Sequence, residues 1–262
     1  MRLNQVKRAL KNGEVAIGTM VSEIRGPGVM TMLATAGFDF VYIDMEHSTF
    51  SMETVADMIT AAKGTNLHTI IRTPGLSRLA LQRPLDAGAD GLLVPQVETV
   101  DEVRQIVAWM KYFPEGERGM ALRRGHSNFA KVGAAEYIKH ANEESLVVIQ
   151  IESVKAVEDI DNMVSVPGVD AAFIGPADLS QSYGIPGKAE DPRIIDGLMK
   201  FIDACNRHGV APGIHVYDME KAKWWIDKGM RLIAYGNDIS MIVDTGSKQT
   251  AELKGYVKGG GR

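Results

Sequence analysis

The 262-residue chain contains one cysteine, Cys205, so no intrachain disulfide can brace it. A lone thiol fits a reducing compartment, and the expectation is a cytoplasmic protein. The chain also lacks any charge excess: 29 Lys+Arg against 33 Asp+Glu leaves a net −4. Nothing in that balance recruits nucleic acid or an anionic membrane. Long hydrophobic runs are missing too. Residues 1–14 interleave Arg2, Lys7, Arg8 and Lys11 with polar side chains, unlike a signal peptide, and no later stretch approaches the ~20 apolar residues of a membrane span. With 10 prolines, 45% hydrophobic and 24% charged residues, the composition is neither disordered nor fibrous.

The chain does contain a repeated rhythm. Amphipathic stretches end in glycine at Gly37, Gly64, Gly88, Gly209 and Gly229, and each is followed by an apolar run too short for a helix. Those runs cover 38–44, 67–72, 91–95, 210–215 and 231–235, and three more, 15–21, 146–151 and 169–174, bring the total to eight. Near-continuous apolar character marks parallel strands covered on both faces. Between them, Thr99-Val-Asp-Glu102 is a capping box opening a helix with Val103, Ile106, Val107 and Met110 on one side. Asp191-Pro192 is a second helix start, ahead of Ile194, Leu198, Phe201 and Cys205. The expected architecture is α/β, a single (β/α)8 TIM barrel over 1–262, with a long loop region at 111–145 and a flexible Gly-rich tail at 258–262. A doubly wound sheet would need fewer strands and often carries a G-x-G-x-x-G turn, which is absent. Loop 111–145, with Arg118, Arg123, Arg124 and His126, and loop 180–190 are expected to cover an active site or build an oligomer contact.

Chemistry in such a barrel sits at the C-terminal strand ends. Polar residues end these runs: Asp44-Met-Glu46-His47, Arg72, Gln96, Gln150-Ile-Glu152, Gly175-Pro-Ala-Asp178 and His215, while the last strand leads into Asn237-Asp238. Glu152 and Asp178, from adjacent strands, form the oxygen-rich pair a divalent cation accepts, although either acid would also serve as a helix cap or an arginine partner. Gln150 alternates with Glu152 and shares its face, within reach of a bound substrate. Arg72 suits a carboxylate or an enolate oxygen, or an ion pair with Asp44 or Asp86. His47 is the general-base candidate, with Asp44 or Asp86 to orient it; a helix-end carboxylate is the ordinary reading of Asp86. His68 and His208 fall at strand starts, away from the chemistry. No run ends in lysine, which disfavours Schiff-base chemistry, and Gly213 and Gly236 are only a weak phosphate signature. The cysteine lies on an apolar helix face and is not a nucleophile candidate.

The segments 37–47, 93–96 (Leu-Val-Pro-Gln), 116–119 (Gly-Glu-Arg-Gly), 150–152 and 173–180 together resemble the HpcH/HpaI metal-dependent pyruvate aldolases, over nearly the whole chain. The resemblance implies a divalent ion (Mg2+, Mn2+ or Co2+) on Glu152 and Asp178 and an acid/base at His47 oriented through Asp44 and Asp86. It further implies an enolate-stabilising Arg72, substrate contacts at Gln150, Pro176, Ala177 and Asp178, and a homohexamer. The reaction expected is reversible cleavage of a 4-hydroxy-2-oxo acid to pyruvate and an aldehyde. The alternatives are an oxaloacetate-decarboxylating or carbon–carbon bond-forming enzyme like macrophomate synthase, and a non-catalytic barrel that binds a 2-oxo acid. His215 stands where members of the family usually carry an apolar residue and is expected to reach the aldehyde side of the substrate. The loop 120–131 also differs from theirs, which leaves the aldehyde open.

Overall fold

Eight parallel strands close into a barrel in the order in which they occur along the chain. The computed structural model describes residues 2–259. In sequence these are α1 (Gln5–Lys11), β1 (Ala16–Val21), α2 (Gly28–Thr35), β2 (Phe40–Asp44), α3 (Met52–Ala62), β3 (His68–Arg72), α4 (Arg78–Ala87), β4 (Gly91–Val94), α5 (Val100–Met110) and α6 (Ala134–Glu144). The second half adds β5 (Leu146–Ile151), α7 (Val154–Glu158), α8 (Ile160–Val164), β6 (Ala171–Ile174), α9 (Pro176–Ser182), α10 (Pro192–His208), β7 (Ala211–Val216), α11 (Met219–Asp227), β8 (Leu232–Asn237) and α12 (Asp238–Lys258). The expected tail starts inside α12 at Lys258, and 260–262 lie outside the described residues. Among the described residues, no helix is long and apolar enough to cross a membrane.

Alternation along each strand builds two apolar layers. Met20, Tyr42, Ile70, Leu93, Val148, Phe173 and Leu232 point into the barrel. Their neighbours Val41, Ile43, Ile71, Leu92, Ile149, Ile174 and Ile233 point outward and pack beneath the helices. Both faces are therefore dry, which is why the strands read as unbroken apolar runs. Thr99 and Glu102 form the anticipated capping box of α5, and Asp191 caps α10 with Pro192 in its first turn. Gly88 (φ 104°) and Gly209 (φ 69°) close their helices in the left-handed conformation. Gly64 does not: α3 ends at Lys63 in ordinary helical geometry.

Two features depart from expectation. The N-terminal segment, to which no element was assigned from the sequence, forms α1, and Val6 and Leu10, one helical turn apart, plug the lower end of the barrel. The segment 111–145 does not lie over the strand C-termini. Strands run up and helices run down, so an insertion that follows a helix and precedes β5 emerges at the N-terminal end. There it is anchored by Asn142, which bonds both the amide and the carbonyl of Tyr112 (2.8 and 2.9 Å), and by Lys111 Nζ on the Ser145 carbonyl (3.0 Å). Of the expected loop 180–190, residues 180–182 belong to α9, which follows β6 on the upper side, and the rest leads from α9 toward α10.

Candidate active site

The register of β2 on β3 sets Asp44 beside Arg72 at the upper rim. The pair is bidentate and buried: Arg72 Nε donates to Asp44 Oδ1 (2.8 Å) and Nη2 to Oδ2 (2.7 Å). Burial opposes the guanidinium charge, but Asp44 more than compensates, so Arg72 stays protonated. The third nitrogen, Nη1, is 3.3 Å from Glu46 Oε2. Asp44 also accepts the amides of Glu46 (2.9 Å) and His47 (3.3 Å), which shapes the turn after β2.

Both carboxylate oxygens of Asp44 are thus committed to Arg72, and the expected Asp44–imidazole contact is not formed. The His47 ring is 63% exposed, and its Nε2 lies 3.6 Å from Glu46 Oε2. Within the chain, Asp86 does not join this rim either. It sits in the last turn of α4, at the lower end, where Arg118 Nη2 holds it at 2.6 Å and His126 lies against its carbonyl at 3.2 Å. Helices descend from the rim, so a carboxylate near a helix C-terminus faces away from it.

Across the barrel, Gln150 and Glu152 rise from β5. Glu152 Oε1 accepts from Gln150 Nε2 (2.5 Å) and Oε2 from the amide of Gln96 (2.9 Å). Gln96 makes that bond from a left-handed backbone (φ 56°), a conformation that an L side chain adopts only under constraint. Its side-chain amide spans to Glu46 Oε1 at 2.9 Å. A Cβ at Gly175 would lie 2.8 Å from Glu152 Oε1, so a larger residue in the turn before α9 would push this carboxylate aside. Pro176, Ala177 and Asp178 form the first turn of α9, where Ala177 and Asp178 present amides without helical partners while Pro176 has none to offer. The Asp178 side chain is exposed. Burial, together with the charges of Glu46 and Asp178, pushes Glu152 up to about 7 despite the Gln96 amide and Arg72.

Among the described residues, no three His, Cys, Asp or Glu side chains form a ready metal cluster. Glu152 and Asp178 nevertheless fit a divalent cation. They are oxygen donors, their mutual charge raises Glu152, and the Gln150 Oε1 beside them is buried without a hydrogen-bond partner. A hard cation is the group that such an arrangement favours.

His215 is placed one layer deeper, with Nδ1 2.6 Å from Tyr42 Oη and Nε2 2.9 Å from the Gly236 carbonyl. Both ring nitrogens are hydrogen-bonded within the chain, so neither offers a free donor or acceptor toward the aldehyde side. Tyr217 stacks on it (4.6 Å, 31°) and is the group exposed at the mouth. Tyr42, Glu46, Gln96 and Tyr217 carry parts of this site that were not assigned from sequence. Tyr42 was findable, because it precedes Asp44 by two and alternation points both inward. Lys155 pairs with Glu98 at 3.1 Å on the surface, and Gly213 is required by Phe173, 2.7 Å from a Cβ built there, rather than by a phosphate. The discounted His68 is buried, its Nδ1 3.2 Å from Asp90 Oδ1.

A model of the HpcH/HpaI aldolase/citrate lyase family matches residues 21–245, and the chain belongs to that family. It is 34% identical over 253 residues to a hydroxypyruvate/pyruvate aldolase of Roseobacter denitrificans, covering 96% of this chain and 98% of that one. Among solved structures, an HpcH/HpaI aldolase from Desulfitobacterium hafniense matches with a TM-score of 0.91 at 33% identity, covering 95% of this chain and 96% of that one. Macrophomate synthase matches at 0.83 with 28% identity, over 97% and 91% of the two chains.

Proposed function

We propose that this chain is a divalent-metal aldolase that reversibly cleaves a 4-hydroxy-2-oxo acid into pyruvate and an aldehyde. The observation that carries the reading is the crowding of Glu46, Glu152 and Asp178 at the rim beside Arg72, with Glu152 raised to about 7. Glu152 and Asp178 would hold the cation, for which Mg2+, Mn2+ and Co2+ all suit the oxygen donors. When bound, it supplies Lewis acidity to the keto and carboxylate oxygens of the 2-oxo acid. Arg72 stays charged and donates toward the oxygen that becomes negative as the C3–C4 bond breaks. Gln150 and the amides of Ala177 and Asp178 orient the acid end. His47, exposed at the mouth, takes the C4 hydroxyl proton and in the synthetic direction returns it to the aldehyde oxygen as the C3–C4 bond forms, with Glu46 as its neighbour.

Macrophomate synthase supports a second reading on the same residues, in which decarboxylation of oxaloacetate generates the enolate. The assembly belongs to the proposal as well: Ile242, Val243, Leu253, Tyr256 and Val257 are exposed on α12, which supports a homo-oligomer, the hexamer that the resemblance implies. The lone, buried Cys205 supports a cytoplasmic setting.

A coupled pyruvate-release assay over a panel of 4-hydroxy-2-oxo acids, with and without EDTA, on wild type and Glu152→Ala, tests the function. Release that needs metal and is lost in Glu152→Ala supports it. Decarboxylation of oxaloacetate without pyruvate release from any panel member replaces it with the second reading, and silence in the presence of metal points to a binding barrel.

A further inference from the structure

Below the rim, a hydrogen-bonded chain crosses the barrel interior from β2 to β7 to β8. The Gly236 carbonyl can only accept, so His215 Nε2 carries the ring hydrogen, Nδ1 is bare, and the Tyr42 hydroxyl donates to it. Burial drives the imidazole down to about 4, consistent with a neutral ring. The Tyr42 ring is buried and meets Phe173 edge-on (6.0 Å, 66°) and His215 at 89°. Above it, the Arg72 Cζ lies 5.7 Å from the ring centroid. The edge of the guanidinium is held by Asp44 and Glu46, and its face rests on Tyr42. The polar atoms of both residues are spent within the chain: the Tyr42 hydroxyl and both His215 nitrogens are engaged, and Tyr217 stacks on the His215 ring.

We propose that Tyr42 and His215 are a positioning pair, in which the imidazole locks the phenol and the phenol sets the attitude of Arg72 toward the 2-oxo acid. The inference rests on the enolate role of Arg72 given above. A phenylalanine at 42 would fill the same volume but lose the bond that fixes the ring, and a leucine at 215 would leave the Tyr42 hydroxyl buried without a partner. Asparagine at 215 keeps an oxygen near the place of Nδ1.

Exchange of the pyruvate methyl protons with D2O, followed by NMR with Mg2+, isolates enolate formation from the aldehyde. Wild type, Tyr42→Phe, His215→Leu and His215→Asn are compared, each alone and combined with Arg72→Lys. The expected outcome is a roughly tenfold lower maximal rate in Tyr42→Phe and His215→Leu, with the pyruvate KM within about twofold and most of the rate restored in His215→Asn. In the Arg72→Lys background the same changes should cost less than about twofold, because residues that act through one group are not additive. Nitrogen-15 spectra of the metal-free protein should show His215 as the Nε2–H tautomer. Additive losses, equal losses for Asn and Leu at 215, or an Nδ1–H tautomer would overturn the pairing. If wild type itself exchanges no protons, the aldolase reading fails instead, while the tautomer still decides whether the chain of hydrogen bonds exists.

Discussion

The carboxyl of Glu152 is held at about 7 against its ordinary 4.5, and the gap has a thermodynamic consequence in the metal-free protein. At ~1.4 kcal/mol per pH decade, ionising this buried acid costs the folded state about 3 kcal/mol. The folded pKa lies above the unfolded one, so between 4.5 and about 7 the folded protein binds more protons, and its stability falls as pH rises. Below 4.5 both states hold the proton and the penalty vanishes; above about 7 it is present in full. Glu152→Gln removes the titration with little change of shape. Its amide can be met by turning Gln150, whose Oε1 has no partner, so the isostere is accommodated. The quantity to follow is the difference in Tm between Glu152→Gln and wild type in EDTA, across pH 4 to 8. That difference should rise through the window and reach ~6 °C in favour of the variant, at roughly 2 °C per kcal/mol for a chain of this size. Saturating Mg2+ or Mn2+ at pH 8 should then raise the Tm of wild type and leave the variant in place, because ligand binding stabilises only the state that binds. A difference that is flat from pH 4 to 8, or equal stabilisation of both proteins by metal, would refute the placement of charge at this rim.

Asp44→Asn leaves a buried guanidinium without its bidentate partner and should cost about 3–5 kcal/mol, measured as a lower urea midpoint with an unchanged m-value. Gly175→Ala introduces a methyl that displaces the Glu152 carboxylate, since a Cβ there would otherwise lie 2.8 Å from Oε1, and should weaken metal-linked stabilisation while far-UV circular dichroism stays that of wild type. At the lower end, burial and the charge of Lys7 push Lys111 down to about 7 from 10.5. The unfolded state therefore binds the extra proton between these values, so wild type should gain stability relative to Lys111→Met as pH rises from 7 to 10, as read from urea midpoints.

How much of this was legible follows from how the barrel encodes position. Period-two alternation together with a parallel direction says which face and which end a residue occupies, so Asp44, Arg72, Gln150 and Glu152, all on inward positions near strand ends, converge as the pattern required. The pattern says nothing about partner choice. Asp44 was free on paper to orient His47 or to pair with Arg72; the register sets it level with the arginine, and a bidentate pair outcompetes a single contact to a solvent-exposed ring. The same rule of direction, applied to helices as well as strands, would have placed Asp86 and the insertion 111–145 at the lower end, since whatever follows a helix terminus lies opposite the rim. His215 shows the remaining limit. Its inward position at a strand end was visible, but its availability was not, because the groups that consume its nitrogens, Tyr42 and the Gly236 carbonyl, come from β2 and β8. A polar residue inside a barrel can serve the substrate or the residue beside it, and only the hydrogen-bond partners tell the two apart. On that criterion the rim divides into groups with unmet capacity, Glu46 Oε2, Gln150 Oε1 and the exposed Asp178, and a satisfied layer beneath whose function is to hold the first in place.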